Sequence, residues 1–159
     1  MRKNIITPTP PDEAVSDDTA WLDLSKIARV EVTSEDSDHP IEAVFAAKEG
    51  SYWRAAAPGK QTIRLVFDEP QNIRRMQVRI EEANCTRMQE FFMSWSRSSE
   101  EQPREVLRQQ WNFSPGGSTI EVENYEVELS DVRVLELNID PDRGAGGAYA
   151  TLSAWRVAQ

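Results

Sequence analysis

The residues of this chain best suited to chemistry are one histidine, one cysteine and a run of alternating glutamates. Nucleophilic catalysis would need His39 as its base, because the chain has no other imidazole. No serine sits on a strand-to-helix elbow, and Cys85 lies in the polar stretch "EANCTRM", so no nucleophilic site is expected. Hydrolysis of a glycosidic bond would need two carboxylates in an enclosed cleft, one of them with a raised pKa. Glu121, Glu123, Glu126 and Glu128 supply the carboxylates, and two that are one residue apart on a strand would sit about 6 to 7 Å from each other. Alternate glutamates on a strand, however, read as a solvated face set against arginines on a neighbour. Asp140 and Asp142 in "DPD" could hold a cation weakly, but acidic turns are common. "GAGGA", residues 144–148, lacks the Lys-Ser/Thr of a phosphate cradle and leads into a strand, which makes it a loop. Neither a catalytic residue, a metal nor a cofactor is expected.

Binding chemistry remains, and "YWRAA" carries it. Neighbours on an extended chain point to opposite sides, so a Trp53 packed among Ala55, Ala56 and Ala57 would deliver Arg54 to the loop end of the structure. There the guanidinium would stand near His39 and the loop from Asn84 to Arg87, as a fixed donor to a hydroxyl, a carboxylate or a partner backbone. Arg54, His39, Asp38, Asn84 and Arg87 are therefore the candidate ligand-binding residues. Each has a structural competitor: Arg54 could close the edge against Glu49, and Asp38 or His39 could tie down backbone at the start of a short helix. Five tryptophans are many for 159 residues. Aromatic faces suit sugars, whose C–H groups meet the π cloud while their hydroxyls take polar partners. Trp95, Trp111 and Trp155 nonetheless fall at inward strand positions, as core residues would.

Composition limits the partners. A formal charge of -9 repels phosphate backbones and anionic membrane surfaces. The outward stripe Arg64, Arg75 and Arg79 lacks interleaved exposed aromatics and reads as a solvated face offset by acids. Neither nucleic acid nor membrane is expected as a partner. A single cysteine makes no internal disulfide, the first residues lack the apolar core of an export signal, and no apolar run approaches the length of a bilayer span. A cytoplasmic protein is expected. Residues 1–19, rich in Pro, Asp and Thr, are expected to be a flexible arm before one domain over 20–159.

The elements that must hold these residues are strands. Ile63, Leu65 and Phe67 alternate in "TIRLVF", and Met76, Val78 and Ile80 in "RRMQVRI", with "DEPQN" between them as the turn of a hairpin. "EFFMSWS" turns Phe91, Met93 and Trp95 one way, and "VLRQQWNF" does the same with Leu107, Trp111 and Phe113. "TIEVENYEVEL" changes parity near Asn124, which predicts a bulge or turn there. "RVLELNI" sets Leu135, Leu137 and Ile139 inward, and "AYATLSAWRVA" forms the last strand. "PIEAVFAAK" is a short helix with Pro40 in its first turn. About eight short strands and one short helix predict an all-β, antiparallel β-sandwich or jelly roll.

The order of "HPIEAVF", "YWRAA", "IRLVFDEPQNIRRMQVRI" and "ATLSAWRVA" resembles the galactose-binding-like β-sandwich of discoidin (coagulation factor type C) domains and many carbohydrate-binding modules. The segment around "WRAA" is also similar to the N-terminal domains of eukaryotic X-ray repair cross-complementing scaffold proteins. The resemblance runs from about Val30 to Val157. It implies a domain that binds rather than catalyses, through loops at one end of the sandwich, with a carbohydrate as the expected partner and a protein, bound by an adaptor of the same fold, as the alternative. Many such domains hold a structural calcium with an Asp-Gly in the loop before the tryptophan. Ala46 and Ala47 stand at those positions, so no calcium is expected there.

Overall fold

Alternation of apolar and polar residues is satisfied by pairing, and strands make up more than half of the described residues. The computed structural model describes residues 20–46, 48–144 and 146–159. Within them lie β1 (Ala28–Val32), β2 (Trp53–Arg54), β3 (Gln61–Glu81), β4 (Arg87–Ser96), β5 (Arg104–Phe113), β6 (Ile120–Asp140), β7 (Thr151–Leu152) and β8 (Ala154–Ala158). The helices are single turns, α1 (Leu24–Ile27) and α2 (Glu42–Phe45). The second is the one expected after Pro40, and the first is an addition. The expected arm, 1–19, and Ala47 lie outside the described residues. No described helix is long and apolar enough to cross a membrane.

All the named pairs are antiparallel, and two strands of 21 residues dominate. The expected hairpin in "IRLVFDEPQNIRRMQVRI" does not form, because β3 runs straight through "DEPQN" beside β6. Register is kept from Gln61↔Ile139 to Val66↔Val134, slips around Gln71 and Ile73, and resumes from Arg75↔Glu126 to Glu81↔Ile120. Pro70 falls inside this irregular stretch, where a missing N–H breaks no ladder bond. Arg133 donates from Nη1 to the carbonyl of Asp68 at 2.7 Å and supplies a partner that the slipped ladder does not. The expected parity change at Asn124 is also absent, since Asn124 pairs with Gln77 in unbroken register. The irregularity in β6 comes later, where Asp131 takes a φ of 59°.

The halves of β3 and β6 belong to different layers. Their first and second halves respectively join β1, β4 and β5, while the other halves take β8 on the far side of β3. Inward residues of both layers, among them Ile63, Leu65, Phe91, Leu137, Met76, Val78, Ile80 and Trp155, share one core. The arrangement is an all-β sandwich with strand pairing carried from one layer into the other. The expected last strand is divided at Ser153, whose N–H goes to the carbonyl of Arg79. β7 therefore pairs with β2 as a separate two-stranded ribbon, and β8 pairs with β3. Trp155 is buried in the core as expected, whereas Trp95 and Trp111 lie half-buried at its margin.

Candidate functional site

The two-stranded ribbon of β2 and β7 sets the geometry around Trp53 and Arg54. Trp53 has no exposed surface, and its indole Nε1 donates to the carbonyl of Ser34 at 3.0 Å. Gln61, also buried, accepts at Oε1 from the hydroxyls of Thr33 (2.6 Å) and Ser34 (2.8 Å). These bonds fix the loop after β1 against the core. Its tip is a tight turn in which the His39 N–H donates to the carbonyl of Asp36 at 2.9 Å. Arg54 continues the pairing, because its N–H donates to the carbonyl of His39 and its carbonyl accepts from the N–H of Asp36. The N–H of Ile41, at the start of α2, is held by the carboxylate of Glu35 at 2.8 Å, a task the sequence had offered to Asp38 or His39.

With Trp53 turned inward, Arg54 is turned out and half-buried. Its guanidinium carbon lies 4.0 Å from the ring centroid of Tyr149, and Nη1 lies 3.9 Å from Asp36 Oδ2. Asp36, and not Glu49, is its acidic neighbour. Beside it, the rings of His39 and Tyr52 stack at 4.1 Å with an interplanar angle of 18°, and the Tyr52 hydroxyl lies 3.2 Å from His39 Nε2. Asp38 sits exposed in the same turn, its N–H bound to the Asp36 carboxylate. The structure thus gathers Arg54, His39 and Asp38, and adds Asp36, Tyr52 and Tyr149. Pattern reading missed Tyr149 because the ribbon strand after it is only two residues long. Asp36 was within reach, being part of the same acidic loop as Asp38.

Arg87 and Asn84 are placed differently. Thr151, the cross-strand partner of Arg54, accepts at Oγ1 from Arg87 Nη2 at 3.4 Å, so the two arginines are close to a single residue. But the Arg87 side chain is wholly buried. It lies 4.6 Å from the Phe113 ring centroid and donates to Glu82 (2.9 Å), Gln89 (2.8 Å) and the carbonyl of Pro141 (2.9 Å). Asn84 is exposed in the turn that precedes it. Burial alone would raise the Glu82 carboxyl, but hydrogen bonds from Cys85, Asn84 and Arg87 hold it below its usual range. Burial and that carboxylate push the Cys85 thiol up, away from a reactive thiolate.

Beyond Arg87 the interior stays polar. Gln89 donates from Nε2 to Glu121 Oε1 at 2.9 Å across the two layers. The glutamate strand is therefore no solvated face throughout: Glu126 and Glu128 are exposed, Glu123 is half-buried, and Glu121 is fully buried. The unbroken pairing of β6 turns Glu121, Glu123 and Tyr125 to the inner side. Burial, and then the adjacent Glu123 carboxyl, push Glu121 up to about 8. Burial and the same two carboxyls push the Tyr125 phenol up. The outer arginines behave as expected, with Arg64 bound to Glu136 and Glu31, Arg75 to Glu126 and Arg79 to Glu81. Among the described residues no group of three or more His, Cys, Asp and Glu side chains is arranged to hold a metal. Ala46 is exposed just after α2 and brings no side-chain oxygen.

Comparison of whole folds finds small sugar-binding domains. The sequence matches no family model, and no curated protein matches it. The family 32 carbohydrate-binding module of Clostridium perfringens NanJ, solved with galactose, superposes with a TM-score of 0.60 at 11% identity, over 87% of this chain and 98% of the other. Chitosan-binding module 1 from a Paenibacillus sp. IK-5 chitosanase/glucanase gives 0.60 at 13%, over 87% and 99%. A pectin-binding module gives 0.59 at 14%, over 84% and 91%. The fold is that of these modules. Nearly the whole of each of these neighbours is covered.

Proposed function

We propose that this domain is a non-catalytic carbohydrate-binding module and that it takes its sugar beside the ribbon of β2 and β7. The observation that carries the reading is the Arg54 guanidinium, held over the Tyr149 ring beside the Asp36 carboxylate, with the His39–Tyr52 stack as its neighbour. A planar donor next to an acceptor matches a pair of adjacent hydroxyls, and the surrounding rings suit the apolar face of a pyranose. Contacts already made in the free protein hold these groups in place, so little side-chain freedom is lost on binding. Three structural neighbours that bind galactose, chitosan and pectin support the class of ligand. Asn84 and Arg87 are left out of the site, the one at a separate turn and the other inside the sandwich.

A glycan array carrying galactose, glucosamine and galacturonate chains, followed by calorimetry of the best binder, tests this. The expected result is binding that Arg54→Ala or Tyr149→Ala weakens at least tenfold while the protein stays folded. Failure of the folded protein to bind any of these sugars, with capture of a protein partner instead, would turn the assignment to an adaptor.

A further inference from the structure

The five-stranded layer holds a cavity of about 490 Å³. It lies where residues 66–68 leave the regular part of β3, far from the Gln61 end that supports Arg54. Arg29 on β1, Arg97 just after β4 and Arg133 on β6 all line it, together with Ser98, Ser99 and Asp68. The lining thus holds three arginines and one acidic residue, Asp68, on a chain whose net charge is -9.

The partners of these arginines set them apart. Elsewhere Arg64, Arg79, Arg87 and Arg143 each meet a carboxylate within 3.0 Å. Arg133 donates instead to the carbonyls of Asp68 (2.7 Å) and Phe67 (3.5 Å). Arg97 donates from Nε to the carbonyl of Ser130 at 3.3 Å and lies 5.6 Å from the Trp95 ring. The nearby Glu101 carboxylate is turned to the backbone N–H of Arg97 (2.9 Å) and to Arg104 (4.0 Å). Of the three, only Arg29 makes a side-chain ion pair among the described residues, with Glu31 at 3.6 Å. Neutral acceptors orient a guanidinium without cancelling its charge, so Arg97 and Arg133 are held in position with no ion pair among the described residues. Serine hydroxyls beside them add neutral donors. This is the chemistry of an oxyanion site.

We propose that the cavity binds an oxyanion-bearing ligand of roughly sugar size, recognised through a sulfate, phosphate or carboxylate group that Arg97 and Arg133 grip and Arg29 supports. The site is independent of the sugar site at Arg54.

Titration of the whole protein with inorganic sulfate, inorganic phosphate and digalacturonate, followed by calorimetry and thermal melts, tests the site against sodium chloride of equal ionic strength. At least one of the three is expected to bind and raise the melting temperature beyond the chloride control. The Arg97→Gln/Arg133→Gln variant is expected to weaken that binding at least tenfold, and Arg54→Ala to leave it unchanged. Preference for sulfate or phosphate would identify a tetrahedral group and preference for digalacturonate a carboxylate; either supports the site. If losing the Asp68 contact unfolds the double variant, Arg29→Gln/Arg97→Gln makes the same test. No response beyond chloride, or a response that survives these substitutions, would overturn the proposal. Loss of digalacturonate binding in Arg54→Ala would assign that ligand to the Arg54 site.

Discussion

Two arginines that nearly share Thr151 show how the same side chain is given opposite work. Arg54, the cross-strand partner of Thr151, lies half-buried on Tyr149 with Asp36 at 3.9 Å. Arg87 reaches the Thr151 hydroxyl from inside the sandwich, its side chain sealed from solvent and its donors taken by Glu82, Gln89 and Pro141. The interior arginine is fully committed, and removing it would take the charged partner from the half-buried Glu82 carboxylate. The outer one keeps donors turned to solvent. Exposure and spare hydrogen-bonding capacity, more than residue type or position in the sequence, separate a group that can receive a ligand from one that holds the fold together.

The sharpest way to break this contrast is to truncate the groups assigned to structure. Arg87→Ala is expected to destabilise by about 3 to 5 kcal/mol, because it removes the only charged partner of Glu82 among the described residues and the donor to Gln89 Oε1, and leaves an emptied volume. Trp53→Ala falls in the same range, about 3 to 5 kcal/mol, since a wholly buried indole is lost together with its bond to Ser34. Urea unfolding of each variant measures both. A loss below about 1 kcal/mol for Arg87→Ala would mean that the interior network is no more essential than a surface pair.

The buried glutamate gives a pH-dependent version of the same test. Folded Glu121 keeps its proton up to about pH 8, whereas the unfolded chain releases it near 4.5. Between those values the folded state binds more protons, so stability falls as the pH rises. One group contributes at most about 1.4 kcal/mol per pH unit in that window. Glu82 acts with the opposite sign: its carboxyl is held low in the fold, and its contribution is lost as the pH falls below about 4.5. Glu121→Gln keeps an acceptor for Gln89 and carries no titrating proton. Melts from pH 5 to 9 are expected to show a declining midpoint in the native protein and a flatter profile in the variant. Equal slopes would show that Glu121 is not the group responsible.

Much of this was legible in the sequence, and the misses have physical causes. Clean alternation marked Phe91, Met93, Leu135, Leu137 and Ile139, all of which are buried. "DEPQN" misled because a turn and an interruption of a long strand select the same residues: Pro70 lacks the N–H that either would leave unpaired. The inward glutamates were hidden by the rule that charges face water, which fails where Gln89 partners Glu121 and burial favours the protonated acid. At the candidate site, Trp53–Arg54 carried its own signal through strand alternation. Tyr149 did not, since it meets Arg54 only after β6 has crossed the molecule and β7 has returned to pair with β2.

The smallest stability effect is expected where the largest binding effect is. Arg54 makes one ion-pair contact, at 3.9 Å and partly exposed, and stacks on one ring. Contacts of that kind contribute about 0 to 1 kcal/mol each. Its backbone bonds to His39 and Asp36 do not depend on the side chain and remain in an alanine variant. Trp53 still anchors the loop through Ser34. Arg54→Ala is therefore expected to shift the urea midpoint by no more than this order while weakening the best array sugar at least tenfold. Arg54→Lys sharpens the result: it restores the charge but not the planar fork, so it should recover stability without recovering affinity. If lysine restores sugar binding in full, the site needs only a positive charge and the reading of a planar donor matched to paired hydroxyls fails. If alanine instead costs several kcal/mol and leaves sugar binding intact, Arg54 belongs with Arg87 among the residues that hold the fold.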